Sequence, residues 1–284
     1  MSERPLVLWA HWTRQVLAGA GLRKTVVETP VGVQTVFVGG TGPVLVLLHG
    51  AGSQAGTWSS VAGALASSHT LVVPDLAGHG ESAPLEGPIP VETVYAALEG
   101  VVGPHARRAK VTVVGNSLGA WMALQLAHRH PDWVEGVVAV DGGALKGTHA
   151  HARLLPKTRE EARASYDAVM DPGAPRASDA LLDDMVLEAR EGPLARFAGT
   201  ADSMEPWVLD EAQLKALRVP VGFIWGSSDR LLTLDYARRH LDLLPDARLV
   251  VLERCGHMPQ QEAPAAFLEA LGGILGNDAP PARM

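Results

Sequence analysis

The chain has 284 residues, 47% of them hydrophobic and 19% charged, a balance typical of a globular protein with a sizeable core. Its net charge of −7 excludes the basic face that a nucleic-acid binder needs. A single cysteine, Cys255, excludes an internal disulfide and a cysteine-based metal cluster, and accords with a reducing cytoplasm.

The first segment, "MSERPLVLWAHWTRQVL", lacks the basic start, apolar centre and small-residue cleavage site of a signal peptide. Trp9, Trp12, Val16 and Leu17 fall on one face of a short helix. That face is expected to pack on the body of the protein; contact with a lipid surface is the alternative. "TVVETPVGVQTVFVGG" then reads as an antiparallel hairpin turning near Pro30 to Gly32. "PVLVLLHG" (43–50) is an almost unbroken apolar run, as in a strand covered on both faces. "HTLVVPDL" (69–76), "KVTVVGNS" (110–117), "VEGVVAVDGG" (134–143), "VPVGFIWGSSD" (219–229) and "ARLVVLERCGH" (247–257) repeat the form.

Between the strands, Val91, Val94, Tyr95, Leu98, Val101 and Val102 recur at helical spacing, as do Phe267, Leu268, Leu271, Ile274 and Leu275. Strands alternating with helices predict an α/β fold with a mostly parallel central sheet and helices on both faces. Residues 144–212 break the rhythm: "REEARASYDAVM" and "SDALLDDMVLEAR" are helical, and no strand is evident. This segment is expected to be a helical cap inserted after the sixth strand, dividing the core into 1–143 and 213–276. The end, 277–284, is expected to be a flexible tail. No apolar run reaches the ~18 residues needed to cross a bilayer, so no integral membrane segment is expected.

Ligands of an open parallel sheet bind beyond the carboxyl ends of its strands. Those ends carry "HGAGSQ", "DLAGHGES", "GNSLG", "GSSD" and "CGH". Three reactive candidates follow in chain order: Ser117, Asp229 and His257, the order nucleophile, acid, histidine of a nucleophile-elbow enzyme. Asp141 also ends a strand and rivals Asp229 as the acid. The Gly-x-Ser-x-Gly of 115–119 decides little alone, because a tight turn has the same composition.

With "HGAG" (49–52), "DLAGHGES" (75–82), "GNSLGA" (115–120), "GSSDR" (226–230) and "CGHMPQQEAP" (255–264), the chain resembles the α/β-hydrolase superfamily over nearly its full length. The likeness is closest to the branch with a helical cap and a serine nucleophile, which holds esterases and carbon–carbon bond hydrolases. It implies the α/β-hydrolase fold and a serine hydrolase acting on a small or medium carboxylic ester with an apolar part, without cofactor or metal. Ser117 would attack, His257 would serve as base, and Asp229 would orient the imidazole. The backbone N–H groups of Ala51 and Leu118 would form the oxyanion hole.

Gly50, Gly52, Trp58, Asn116, Leu154, Leu155, Tyr166, Met170, Trp207 and Met258 are the candidate pocket residues. Asp75 is expected to anchor the turn of 75–82, and His49 and His79 to be structural or pocket-lining. "HRHP" (128–131) reads as a helix end, "THAHA" (148–152) as a weak metal pair without a third ligand, and Cys255 as a packed small hydrophobe. Hydrolysis of a carbon–carbon bond in a diketone is the enzymatic alternative, for which a cap arginine among Arg153, Arg159, Arg163, Arg176, Arg190 and Arg196 would hold a substrate carboxylate. Met258 stands where such enzymes often carry an aromatic residue, a departure that lowers this alternative. Tailoring of a natural product and a non-catalytic small-molecule receptor on the same fold also remain open, as does a homo-oligomeric state.

Overall fold

The computed structural model describes residues 4–146 and 154–276. An amino-terminal helix α1 (Pro5–Gly19) precedes strands β1 (Arg23–Thr29), β2 (Gly32–Gly40) and β3 (Val44–Leu48). Helix α2 (Ser59–Ala66), β4 (Thr70–Pro74), α3 (Val91–Ala106), β5 (Val111–Asn116), α4 (Leu118–Arg129) and β6 (Val134–Val140) then alternate. Among the described residues, four α-helices and no strand follow: α5 (Arg159–Val169), α6 (Asp179–Glu191), α7 (Pro193–Ala198) and α8 (Glu211–Lys215). The chain returns to alternation with β7 (Val221–Gly226), α9 (Leu234–Leu241), β8 (Arg248–Leu252), α10 (Pro259–Glu262) and α11 (Pro264–Leu275).

The eight strands form one sheet in the order β1-β2-β4-β3-β5-β6-β7-β8. The β1–β2 and β2–β4 pairs are antiparallel, and every other neighbouring pair is parallel. The hairpin turns where Thr29 pairs with Gly32, as expected. Strand order reverses beside β3, which lies between β4 and β5 and so creates a crevice at their carboxyl ends. "HGAG" and "GNSLG" leave the sheet at that crevice.

Side chains alternate between two apolar layers, which explains why the central strands are apolar throughout. Val46 and Leu48 of β3 join the layer under α3 and α4, with Val113, Phe223 and Trp225. Leu45 and Leu47 join the opposite layer with Val114, Ile224 and residues of α1, α2 and α11. Truncating a buried leucine such as Leu48 to alanine would cost roughly 2–5 kcal/mol.

The 144–212 segment leaves and rejoins the sheet through a closed neck. Leu145 bridges Leu209, and Leu209 N–H donates to Ala144 O at 2.8 Å. The insertion has a small core of its own, in which Ala162, Ala177 and Leu182 pack with Tyr166, Leu181, Met185 and Val186. Helix α1 ties it to the body. Arg4 pairs with Asp184 and Glu188, each at 2.5 Å, and Arg14 pairs with Asp75 at 3.0 Å.

The expected inner face of α1 is corrected. Leu17 is buried, Trp9 and Val16 are half-buried, and Trp12 is 58% exposed. Thr13 takes the inner position because its hydroxyl donates to Trp9 O and accepts from Gln54. Among the described residues, no helix is long and apolar enough to cross a membrane. Arg153, "THAHA" and the 277–284 tail lie outside the described residues.

Candidate active site

Strand β5 ends in a turn so sharp that Ser117 takes φ 55° and ψ −114°, immediately before α4 begins at Leu118. A non-glycine residue in that region costs about 1–3 kcal/mol, a strain that marks functional turns. The turn is possible because of its glycines. A Cβ on Gly115 would collide with the backbone of Gly119, and one on Gly119 with the backbone of Leu48. Strand and helix therefore approach at van der Waals distance, and Ser117 projects at the crevice. It stays partly exposed while Asn116 and Leu118 are buried.

His257 comes from the loop after β8, and Asp229 from the loop after β7. His257 Nδ1 donates to Asp229 Oδ2 at 2.7 Å, and both side chains are buried. With Nδ1–H directed at the carboxylate, Nε2 keeps its lone pair. Asp229 Oδ1 accepts from Leu231 N–H at 2.8 Å and Leu232 N–H at 3.0 Å, so the carboxylate is fixed by its own turn. Asn116 Nδ2 donates to His257 O at 2.9 Å and links the histidine loop to the strand that carries the serine.

The insertion also holds these loops. His257 N–H donates to Val169 O at 2.7 Å and Arg230 N–H to Ala168 O at 3.1 Å. Asp171 N–H donates to Glu262 Oε2 at 2.8 Å, and Ser228 Oγ to Asp171 Oδ2 at 2.5 Å. Half of this brace is made by the backbone oxygens of Ala168 and Val169, which no residue pattern announces; the other half uses the side chains of Asp171, Ser228 and Glu262.

The "HGAG" loop faces Ser117 closely enough that a Cβ on Gly50 would lie 3.2 Å from Ser117 Cβ. Leu118 opens a helix, whose first N–H groups have no acceptor within the helix and suit a developing anion. Ala51, next in the "HGAG" loop, is partly exposed. Two buried histidines set this loop. His49 Nδ1 donates to Gly50 O at 2.8 Å and Nε2 accepts from Leu76 N–H at 2.8 Å. His79 Nδ1 donates to Ala77 O at 3.0 Å. Burial lowers His49 to about 4 and, together with the neighbouring His49, lowers His79 to about 3. Asp75 anchors the turn as expected, accepting from Ala55 N–H, Glu81 N–H and Arg14.

The candidate pocket residues separate. Ala51, Gly52 and Leu154 line one cavity of about 180 Å³ with Leu6, Pro156, Met185, Pro193 and Leu194. Leu6, Met185 and Leu194 were not anticipated; each is one apolar residue among several on an amphipathic helix. Leu155 and Met258 are half-buried, the latter directly before α10.

Five candidates are corrected. Trp58 is 0% exposed and packs on Phe267 at 6.0 Å between ring centroids, inside the core. Trp207 packs on Tyr95 at 4.9 Å and under Arg129, so it anchors the insertion to α3 and α4. Tyr166 donates its hydroxyl to Pro175 O at 2.8 Å, and with Met170 it lines a separate surface cleft beside Arg176 and Arg230. Asn116 is spent on His257 O and Val140 O rather than on the cavity. Cys255 is buried in the core, and burial with nearby carboxylates pushes its thiol up. His128 and Arg129 close α4, as the helix-end reading expects.

A model of the alpha/beta hydrolase family matches residues 45–270. Lipase 1 of Psychrobacter immobilis is 26% identical over 240 residues, covering 78% of this chain and 73% of the lipase. A 2-hydroxy-6-oxononadienedioate/2-hydroxy-6-oxononatrienedioate hydrolase of Cupriavidus pinatubonensis is 27% identical over 273 residues, covering 88% of this chain and 89% of that enzyme. The crystal structure of a membrane phospholipase A superposes with a TM-score of 0.80 at 22% identity, covering 96% of this chain and 92% of that one, a likeness of fold. The sheet order, the sharp turn after β5 and the family match over most of the chain agree: the protein belongs to the alpha/beta hydrolase family and is a hydrolytic enzyme.

Proposed function

We propose that the enzyme is a serine hydrolase that cleaves a small or medium carboxylic ester with an apolar acyl part, through an acyl-enzyme on Ser117. The observation that carries this reading is the strained Ser117 turn joined, through Asn116, to the buried His257–Asp229 pair. Ser117 Oγ attacks the carbonyl carbon while its proton passes to His257 Nε2. Asp229 keeps the imidazole in the required tautomer and stabilises the imidazolium. Ala51 and Leu118 N–H groups meet the oxyanion, each worth about 3–4 kcal/mol in the transition state. The C–O bond to the leaving alcohol breaks as His257 returns the proton. Water, deprotonated by the same nitrogen, then releases the acid and restores Ser117.

The cavity under the insertion supports the substrate class. Its lining is mostly apolar, with Leu6, Leu154, Met185 and Leu194 beside the Arg4-paired Glu188, and it reaches Ala51 of the oxyanion loop, so the insertion serves as the cap that shapes the acyl site. Hydrolysis of a carbon–carbon bond in a diketone, the enzymatic alternative, gains less support from this chain. Arg159 is paired with Asp179 and Asp183, Arg163 donates to Ala177 O, and Arg196 donates to the carbonyls of Gly87, Gly78 and Pro84. Arg176 and Arg190 are exposed. Labelling with a fluorophosphonate, followed by p-nitrophenyl esters of graded chain length, tests the reading. Wild type should label and Ser117→Ala should not; an unlabelled wild type would favour a receptor on the same fold.

A further inference from the structure

Asp141 ends β6 in a left-handed conformation, φ 42°, and is 0% exposed. Its carboxylate, that of Asp229 and the ring of His257 each place a polar atom within 4.8 Å of the others. Nothing in the ester mechanism uses this second acid. Two carboxylates enclosed in one dry site cannot both ionise, so the distribution of donors decides which keeps the charge. Asp229 accepts from three: Leu231 N–H, Leu232 N–H and His257 Nδ1. Asp141 accepts from one, Gly226 N–H at 2.9 Å on Oδ1, while its buried Oδ2 meets no donor. An enclosed oxygen without a donor is satisfied when it carries the proton itself and gives it to a neighbouring acceptor. The Asp229 carboxylate is the neighbouring acceptor, with an oxygen of each acid within 4.8 Å of the other.

We propose that Asp141 is a positioning residue: a neutral carboxylic acid whose O–H donates to the Asp229 carboxylate and holds it against His257. The proposal rests on the reading of Asp229 as the acid that orients His257. The titratable groups facing Asp141 are Asp229, His257, Glu262 and Cys255. Burial first, and then the Asp229 charge, push the Asp141 carboxyl well above the usual carboxylate range. While neutral, it strengthens the acid site without adding charge. When alkaline pH removes its proton, it becomes a second anion that repels Asp229 and disturbs the His257 hydrogen bond, so turnover falls on the alkaline side.

The test compares wild type with Asp141→Asn, whose amide N–H replaces the acid O–H at the same volume, and with Asp141→Leu, which removes it. Infrared difference spectra between wild type and Asp141→Asn at neutral pH should show a protonated-carboxyl C=O band that the variant lacks. On p-nitrophenyl butyrate, Asp141→Asn should hold kcat within about fivefold and lose the alkaline decline, whereas Asp141→Leu should lower kcat roughly 10- to 100-fold with KM unchanged. Absence of the band, or an Asp141→Asn loss as deep as that of Asp229→Asn, overturns the proposal. Should Asp141→Leu fail to fold, the band and the pH profile of Asp141→Asn still decide it. Failure of wild type to react with a fluorophosphonate would instead remove the Ser117 reading, and the infrared band would still report on the acid pair.

Discussion

Asn116 and His257 are 141 positions apart, yet the amide of the first donates to the backbone oxygen of the second at 2.9 Å. The residue that precedes the candidate nucleophile thereby fixes the height of the candidate base. Its other bonds, to Val140 O and from Gln260, keep the amide from rotating away. Asn116→Ala leaves His257 O buried without its donor, which costs about 1–3 kcal/mol of stability. Urea unfolding should show that loss, and kcat on p-nitrophenyl butyrate should fall by about tenfold or more because the imidazole is no longer held. Unchanged kcat in a destabilised variant would separate the two roles.

Asp229→Asn should lower kcat by roughly two to four orders of magnitude, since the amide favours the wrong imidazole tautomer. Asp141→Asn should do far less. Steady-state kinetics on purified, folded variants check the ranking; the reverse order would move the acid role to Asp141.

Acid stability should be governed by three buried histidines. Burial lowers His49 to about 4, His79 to about 3 and His240 to about 4. The unfolded chain therefore binds protons below its ordinary histidine value of about 6.5 that the fold does not take up, so stability falls as pH drops from there toward 4. Each histidine contributes a slope of up to about 1.4 kcal/mol per pH unit. Replacing His240 with glutamine, which can keep a donor toward Tyr236 O, should flatten the slope between pH 6.5 and 4 in thermal unfolding. An unaltered slope would show that the ring takes up its proton equally in the folded and unfolded states.

Asp141 acts with the opposite sign. Its carboxyl is raised in the fold, so its stabilising contribution is full below the ordinary aspartate value of about 4 and is lost as pH rises toward the raised value. Asp141→Asn should therefore gain stability relative to wild type as pH climbs from 4 to 7. Parallel stability curves for the two proteins would contradict this.

The cavity beside Ala51 should set chain-length preference. Leu154→Ala and Leu194→Ala enlarge it, and Met185→Phe fills it. About 1–3 kcal/mol accompanies each methylene accommodated or excluded. kcat/KM should shift toward longer acyl chains for the first two and toward shorter chains for the third, with the fluorophosphonate reaction largely intact. Uniform loss across all esters would mean that the acyl chain lies elsewhere.

The sheet was legible because β3, β5 and β7 are apolar on both faces, a pattern that few alternatives produce. Ser117 and Asp229 were legible because each follows such a strand; His257 follows the half-exposed edge strand β8 and was legible from its "CGH" context. The pocket was not. An apolar side chain on a helix has the same signature whether it meets the core, a neighbouring helix or a ligand, so Trp58 and Trp207 were placed in the cleft and belong to packing. Thr13 displaced Trp12 from the inner face of α1 because a local hydroxyl bond outweighed hydrophobicity, which periodicity does not register. Tyr166 had an inner core of the insertion to join, and its residues recur too briefly for their partners to be read from spacing.

Residues 168–171 connect the insertion to both reactive loops: Ala168 O holds Arg230, Val169 O holds His257, and Asp171 reaches Ser228 and Glu262. A chimera that exchanges the whole insertion for one from a relative would unseat the base while trying only to alter selectivity. An exchange that spares this short stretch and replaces α6 and α7 would graft a new acyl site onto undisturbed chemistry. The boundary for transplantation thus runs through the insertion, inside its sequence limits.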